Sequence, residues 1–190
     1  MTPVHPLRVP HDFYPTPEEA TRALLSVEQF HGPIWEPACG DGALAKVLIA
    51  AGHIVVSTDL IDRGWGTGGI NFLAETTNRA RHIITNPPFG SGLIQKFVTH
   101  ALMLTRPCNG SVVMLVDFAG LAHPSRTAHY VRNPPAAIYA LDELACPPRG
   151  RPDFPAENRF CWVVWKPHHT GRPTFWWLHT EAFRRKDDRR

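Results

Sequence analysis

The tetrapeptide Asn86, Pro87, Pro88 and Phe89 follows a predicted strand over 81–85 and carries the most informative chemistry in the chain. Two prolines remove backbone donors and stiffen the segment, so its carbonyl groups remain available as acceptors. An exocyclic amino group is a poor nucleophile because its lone pair is delocalised. If it donates hydrogen bonds to Asn86 Oδ1 and the Pro87 carbonyl, its nitrogen becomes tetrahedral and its lone pair can attack a sulfonium methyl group. Phe89 offers a flat apolar face for a flipped base. We therefore predict these four residues to be catalytic.

A glycine turn, Gly40-Asp41-Gly42, stands between a short predicted strand and a predicted helix. Glycines permit a tight turn, and a helix N-terminus offers unpaired N–H groups to a ligand. With Ala45 the turn matches the pattern G-x-G-x-x-A, and Asp59 follows Gly42 by seventeen residues. The turn predicts a site for an adenosine-bearing ligand. Asp59 is expected to accept hydrogen bonds from ribose hydroxyls, or alternatively to cap a turn.

The pattern of apolar residues predicts alternating strands and helices. Strands are predicted over 33–36, 54–58, 70–72, 81–85, 111–116, 136–141, 160–165 and 174–178, and helices from Thr16-Pro17, over 43–51 and over 93–104. Thr16 is expected to cap the first helix, with Glu19 completing a capping box. Early strands that are apolar throughout indicate a parallel sheet covered on both faces, and the later strands indicate an antiparallel hairpin at one edge. In such a doubly wound sheet the glycine turn and the tetrapeptide line one crevice.

The size and composition fit one α/β domain over residues 1–190, with an N-terminal arm over 1–11 and a charged tail over 180–190. No apolar run is long enough to span a bilayer and no apolar leader begins the chain, so we expect a cytoplasmic protein without a membrane partner. The four cysteines form no C-x-x-C pair, and no metal is expected. A net charge of +3 is compatible with a nucleic-acid partner but is not diagnostic of one.

Three blocks of the sequence resemble the amino-methyltransferases, and most closely the DNA adenine-N6 methyltransferases of bacteria and phages. The blocks are Asp12-Phe-Tyr-Pro-Thr-Pro17, Glu36-Pro-Ala-Cys-Gly-Asp-Gly42 and Asn86-Pro-Pro-Phe89, within a similarity that covers about 12–167. The resemblance implies a Rossmann-like class I methyltransferase fold with strand order 3-2-1-4-5-7-6, S-adenosylmethionine as the cofactor and adenine N6 in DNA as the acceptor.

The resemblance also implies roles for individual residues. Phe13, Tyr14 and Thr16 would border the methionine end of the cofactor, and Asp59 would bind its ribose. The candidate cofactor-binding residues are Phe13, Tyr14, Thr16, Glu36, Pro37, Ala38, Gly40, Asp41, Gly42, Asp59, Leu60, Asn71, Phe72 and Asn86. Asn71 stands where many relatives have Asp near the adenine, so it is interpreted either as an adenine contact or as a turn residue.

The sequence has no room for a large target-recognition domain. The short segments at Gly90-Ser91, 119–133 and 147–159 are the candidates for contacting the target. The last one contains Arg149, Arg151 and Arg159, which are predicted to contact nucleic-acid phosphates, although an ordinary surface loop explains them equally well.

Other functions stay open at the level of sequence. The same tetrapeptide serves methylation of RNA adenine and of protein glutamine amides in related families. A nicotinamide-dependent oxidoreductase would explain the glycine turn but not the tetrapeptide. A binding subunit without activity would have no need to retain Asn86 and Pro87.

Overall fold

The computed structural model describes residues 13–90, 92–122, 124–142 and 159–184. Seven strands in these segments form one sheet. They are β1 (Ile34–Glu36), β2 (Val55–Ser57), β3 (His82–Thr85), β4 (Val112–Asp117), β5 (Ala137–Leu141), β6 (Phe160–Trp165) and β7 (Thr174–Leu178). Their order across the sheet is β2-β1-β3-β4-β6-β5-β7. The predicted α/β class and a mostly parallel arrangement around β1, β3 and β4 are confirmed.

The central strands are buried on both faces, which explains why Ile and Val are frequent in them. Every residue of β1 and β3 is buried, and so are the first five of β4. One face packs around Leu24, Leu44 and Trp162, and the other around Trp35 and Phe97. Because β1 and β3 are parallel neighbours, their carboxyl ends meet at the same edge of the sheet.

Four α-helices accompany the sheet within the described segments: α1 (Glu18–Val27), α2 (Ala43–Ala50), α3 (Leu93–Thr105) and α4 (Pro124–Arg132). The predicted capping by Thr16 is wrong, because Pro17 occupies the N-cap position and no side chain caps the helix. The segment 119–133 is not a simple loop, since it contains most of a 3₁₀ helix (Phe118–Ala122) and all of α4. No described helix has the length and apolar character needed to cross a bilayer.

The edge of the sheet beside β2 differs from the predicted order. The segment predicted as a strand over 70–72 instead leads into a 3₁₀ helix, Phe72–Ala74, in which the Asn71 side chain accepts the Leu73 N–H. The seventh strand is β7, which pairs in parallel with β5 at the opposite edge. The predicted antiparallel hairpin is confirmed by the pairing of β5 with β6. The predicted order therefore fails at both edges: the segment around Thr67, not a strand over 70–72, bonds beside the end of β2, and β7 extends the sheet beyond the hairpin.

Candidate functional site

The glycine turn after β1 and the tetrapeptide after β3 line one cavity of about 240 Å³ at the carboxyl ends of these strands. Fourteen of the residues predicted to bind cofactor or acceptor line it, namely Phe13, Tyr14, Thr16, Glu36, Pro37, Ala38, Gly40, Asp41, Asp59, Leu60, Asn71, Phe72, Asn86 and Pro88. Gly42, Pro87 and Phe89 do not line it, although each belongs to one of the two loops. The two loops therefore converge on one crevice, as the topology requires.

The glycine turn adopts a conformation that only glycine accepts without strain. Gly40 and Gly42 have φ values of 58° and 80°, in the left-handed region. A Cβ on Gly40 would lie 2.7 Å from the Phe13 ring, and a Cβ on Gly42 would lie 2.4 Å from the Trp65 ring. Two aromatic rings thus cover the turn from different sides. Because Gly40 and Gly42 have no side chains, the turn can form and the two rings can pack closely on it.

Glu36 ends β1 beneath the glycine turn and is 2% exposed. Burial raises the pKa of its carboxyl well above the ordinary value, and the negative charges of Asp59 and Asp41 raise it further, although the Ala45 N–H opposes this. Glu36 Oε2 has no hydrogen-bond partner in the described part of the chain. A buried carboxyl oxygen without a partner suits a donor or cation that enters the cavity.

Asp59 follows β2 and is bound on both carboxylate oxygens. Oδ2 accepts the Gly40 N–H at 2.8 Å, and Oδ1 accepts the Ile61 N–H at 2.8 Å and an Arg63 N–H at 2.9 Å. The Asp59 carboxylate therefore holds the glycine turn in place. A carboxylate has roughly four lone-pair directions, and these three bonds leave about one of them to accept a further hydrogen bond. The predicted ribose contact would compete with Arg63, because a ribose diol donates two hydrogen bonds.

The Asn86 amide is oriented by the backbone of the N-terminal block. Its Nδ2 lies 2.9 Å from the Tyr14 carbonyl oxygen, and because a carbonyl only accepts, this bond assigns the amide orientation. Asn86 Oδ1 is left as a buried acceptor with no partner among the described residues. The amide therefore presents an acceptor at the end of β3, the geometry that hydrogen bonding to an amino group requires.

Phe89 lies between the two faces of the core and contacts both hydrophobic clusters. Its ring meets Tyr14 edge-on at a centroid distance of 6.3 Å and Phe160 at 5.7 Å. The ring is half-buried, and the predicted stacking on a base stays a prediction. Its contacts fix the position of the loop that carries Asn86.

The remaining predicted residues are placed in different ways. Asn71 is exposed, and its Oδ1 accepts the Leu73 N–H at 3.1 Å, so the interpretation as a turn residue describes its contacts, while a contact with adenine stays a prediction. Phe72 is buried against Trp35 and Phe97. Arg159 precedes β6 and does not line the cavity. Arg149 and Arg151 lie outside the described residues.

Sequence reasoning missed Arg63, which lines the cavity, and Trp65, which packs on the glycine turn. Arg63 lies over the Phe13 ring at 4.5 Å in addition to its ion pair with Asp59. The Trp65 ring packs on Gly42 and receives Lys46 Nζ at 4.7 Å from its centroid. Both belong to the glycine-rich segment after β2, whose composition predicts a loop but not the surface on which it folds.

No protein-family model matches this chain, and no curated protein matches it in sequence. Solved structures nevertheless share its fold. A candidate class I S-adenosylmethionine-dependent methyltransferase from Listeria monocytogenes superposes with a TM-score of 0.62 at 17% identity, covering 92% of this chain and 68% of that one. A modification subunit of a candidate type I restriction enzyme from Vibrio vulnificus gives 0.62 at 16% identity, covering 88% and 47%. A candidate RNA methyltransferase from Pyrococcus horikoshii gives 0.58 at 16% identity, covering 83% and 88%.

These likenesses define the class of fold. The chain has the fold of the class I S-adenosylmethionine-dependent methyltransferases, which confirms the predicted Rossmann-like architecture. Identities below 20% carry the fold alone, and the chain spans 47% of the restriction-type subunit.

Proposed function

We propose that this protein transfers a methyl group from S-adenosylmethionine to an exocyclic amino nitrogen, with adenine N6 in DNA as the acceptor. The observation that carries the proposal is the buried Asn86 Oδ1, which has no hydrogen-bond partner among the described residues, while Nδ2 is held by the Tyr14 carbonyl. A buried acceptor without a partner costs free energy unless a ligand satisfies it. An amino group of the substrate would satisfy it.

The residues around the glycine turn fit the proposed cofactor. The glycine turn lines the cavity through Gly40 and Asp41, and Glu36 Oε2 is a buried acceptor suited to the cofactor's ammonium group. S-adenosylmethionine supplies a methyl group on a positively charged sulfur. The cavity next to Asn86 is lined by the flat or apolar side chains of Tyr14 and Pro88, which limit water near this methyl group.

The chain's own contribution to catalysis is positioning. Asn86 Oδ1 and the Pro87 carbonyl accept the two N–H groups of the substrate amine, so its lone pair leaves the plane of the π system and points into the cavity. When bound, the cofactor would supply its methyl carbon to this nitrogen; the sulfur would leave as a neutral thioether and one amine proton would pass to solvent. Alignment of this kind accelerates transfer without a strong base.

DNA adenine is favoured as the acceptor by the resemblance of the three sequence blocks and by the presence of restriction-type modification subunits among the proteins of similar fold. Phe89 would stack on the flipped base, and Arg159 would contact phosphate. We also propose that residues 1–190 form one catalytic domain that acts in the cytoplasm. RNA adenine and a protein glutamine amide are alternative acceptors for the same chemistry.

Methyl transfer from labelled S-adenosylmethionine to unmethylated DNA, RNA and protein pools tests the acceptor. We expect label in N6-methyladenine of DNA. Label confined to RNA or protein would replace the acceptor and keep the chemistry, whereas cofactor binding without transfer would indicate an inactive binding subunit. Binding of a nicotinamide dinucleotide without binding of S-adenosylmethionine would overturn the proposal.

The variant Asn86→Ala tests the role of the amide. We expect turnover to fall by on the order of 10²- to 10³-fold, as for the loss of another group that hydrogen-bonds the reacting centre, while cofactor binding is retained. Asn133→Ala is a matched control, because Asn133 lies at the start of the connection to β5 and does not line the cavity. Unchanged turnover in Asn86→Ala would show that the amide has no role in catalysis.

A further inference from the structure

Strand β7 forms an edge of the sheet and carries large apolar side chains on both of its faces. It pairs with β5 on one side, and no second strand pairs with it in the described part of the chain. Phe175, Trp176 and Trp177 are 37%, 62% and 59% exposed. Natural edge strands are usually protected by charges, prolines or bulges, because a flat apolar edge pairs readily with another strand. This edge lacks such protection within its five residues.

The backbone of β7 presents a defined set of free groups. Thr174 N–H donates to the Ala136 carbonyl, and the Leu178 carbonyl accepts from Asp142 N–H, so the even-numbered residues of β7 point their polar groups at β5. The odd-numbered residues, Phe175 and Trp177, therefore point their N–H and C=O groups away from the sheet. These groups form a row that a further strand can satisfy.

We propose that β7 pairs antiparallel with β7 of a second copy, about a twofold axis at Trp176. Phe175 then lies opposite Trp177 of the second copy, and by symmetry the reverse pair forms as well. Each is a hydrogen-bonded pair that exchanges two bonds, so the two pairs use every outward backbone group of Phe175 and Trp177. The neighbouring register, centred on Phe175, places Pro173 opposite Trp177 and loses a donor. The sequence thus favours the register at Trp176.

The side chains agree with the same register. Trp176 faces Trp176 of the second copy in the non-hydrogen-bonded position, where side chains approach most closely. The two Phe175–Trp177 pairs lie on the other face, and aromatic cross-strand pairs of this kind stabilise antiparallel sheets. Antiparallel pairing also brings the end of β7 preceded by Arg172 near the end that is followed by Glu181 in the 3₁₀ helix Thr180–Phe183, and both residues are exposed. Opposite charges therefore flank the aromatic centre at each end.

The area involved indicates a dimer of limited strength. With about 200 Å² for a large aromatic residue, the exposed fractions amount to roughly 300 Å² from these three residues in each copy. Two copies thus contribute roughly 600 Å², to which backbone and flanking residues add, so the interface belongs with the weak, transient ones. We therefore expect association that depends on protein concentration in the micromolar range.

A strand or loop of a different protein and a stretch of single-stranded nucleic acid are the rival occupants. The Phe175 and Trp177 rings meet edge to face, with an interplanar angle of 83°, rather than forming the parallel platform on which successive bases stack. The match of outward groups, side chains and charges under one twofold axis favours a second copy over an unrelated strand.

Sedimentation velocity of the full chain, from about 1 to 100 μM, tests the proposal. We expect a shift from the 21.3 kDa monomer to a species of about twice that mass. In Trp176→Glu two carboxylates face each other across the axis, and we expect the dimer to weaken on the order of 100-fold or more. Trp176→Lys should behave in the same way, whereas an equimolar mixture of the two variants should restore a dimer. Ile54→Glu, an exposed change beside the opposite edge, is the control and should not weaken the dimer.

A monomer at 100 μM would overturn the proposal. So would a dimer that persists in both Trp176 variants, a dimer abolished by Ile54→Glu, or a mixture of the Glu and Lys variants that remains monomeric. Circular dichroism of each variant verifies that the fold is intact, which is expected because Trp176 is largely exposed.

Discussion

The packing of Trp65 on the glycine turn can be measured through Gly42→Ala. The substitution places a Cβ at φ 80°, which costs about 1–2 kcal/mol. The same Cβ would lie 2.4–2.5 Å from three atoms of the Trp65 ring, and overpacking of this kind costs about 1–3 kcal/mol. The lower entropy of the unfolded chain returns about 0.4–1 kcal/mol. We therefore expect a loss of about 3 kcal/mol in the free energy of unfolding, or about 6–12 °C in Tm for a chain of this size.

Gly52→Ala is a matched control for the backbone term. Gly52 has φ 91°, and a Cβ placed there meets nothing within 4 Å, so this variant should lose only about 1 kcal/mol. In a Trp65→Ala background, Gly42→Ala should cost as little as Gly52→Ala does, because the ring that the Cβ would meet is gone. The difference between its costs in the two backgrounds gives a coupling of about 2 kcal/mol between positions 42 and 65. Urea denaturation of the four proteins of the cycle measures this coupling. A coupling below about 0.5 kcal/mol would refute the contact between Trp65 and the turn.

Two further predictions concern pH. The raised pKa of Glu36 favours the protonated carboxyl, whereas a bound cation favours the carboxylate, so S-adenosylmethionine should bind with proton release and more tightly as pH rises. Calorimetry in buffers of different ionisation enthalpy measures the proton release. Equal release by Glu36→Gln would contradict the prediction. The pKa of His82 is lowered from 6.5 by burial, and protonation of its Nδ1 would break the hydrogen bond from Ser111 N–H at 3.0 Å. Between the folded and unfolded pKa values the unfolded chain binds more protons, so stability should fall as pH drops below about 6.5 and be retained above it. Denaturation at pH 7.5 and 5.5 checks this, and an undiminished drop in His82→Gln would contradict it.

The sequence predicts the fold well where burial dictates the residue pattern. Strand β4 is buried over its first five residues, and its apolar sequence, Val-Val-Met-Leu-Val, identifies it without further information. The segment 70–72 contains apolar residues for a different reason, because Phe72 fills the space between Trp35 and Phe97 from a 3₁₀ helix. A short apolar segment indicates burial, but it does not decide the backbone geometry that achieves the burial.

Helix α4 was missed for the opposite reason. Its sequence is mostly polar, and it begins at Pro124, a residue type that is also common in loops. Its packing against the sheet depends on Tyr130, whose ring stacks on Trp165 at 6.3 Å. Such a contact joins residues that are distant in sequence, so no local pattern predicts it.

The site shows the same division between local and distant determinants. Topology alone places Asn86 beside the glycine turn, because adjacent parallel strands bring their carboxyl ends together. The orientation of the Asn86 amide, by contrast, depends on the Tyr14 carbonyl, 72 residues away. The proposed acceptor role thus requires the N-terminal block to be in place. Without the Tyr14 carbonyl, Nδ2 would need another partner, and the amide could rotate so that Oδ1 finds a donor within the protein. Residue type predicts what Asn86 can accept, and the distant carbonyl decides which of its atoms is free to do so.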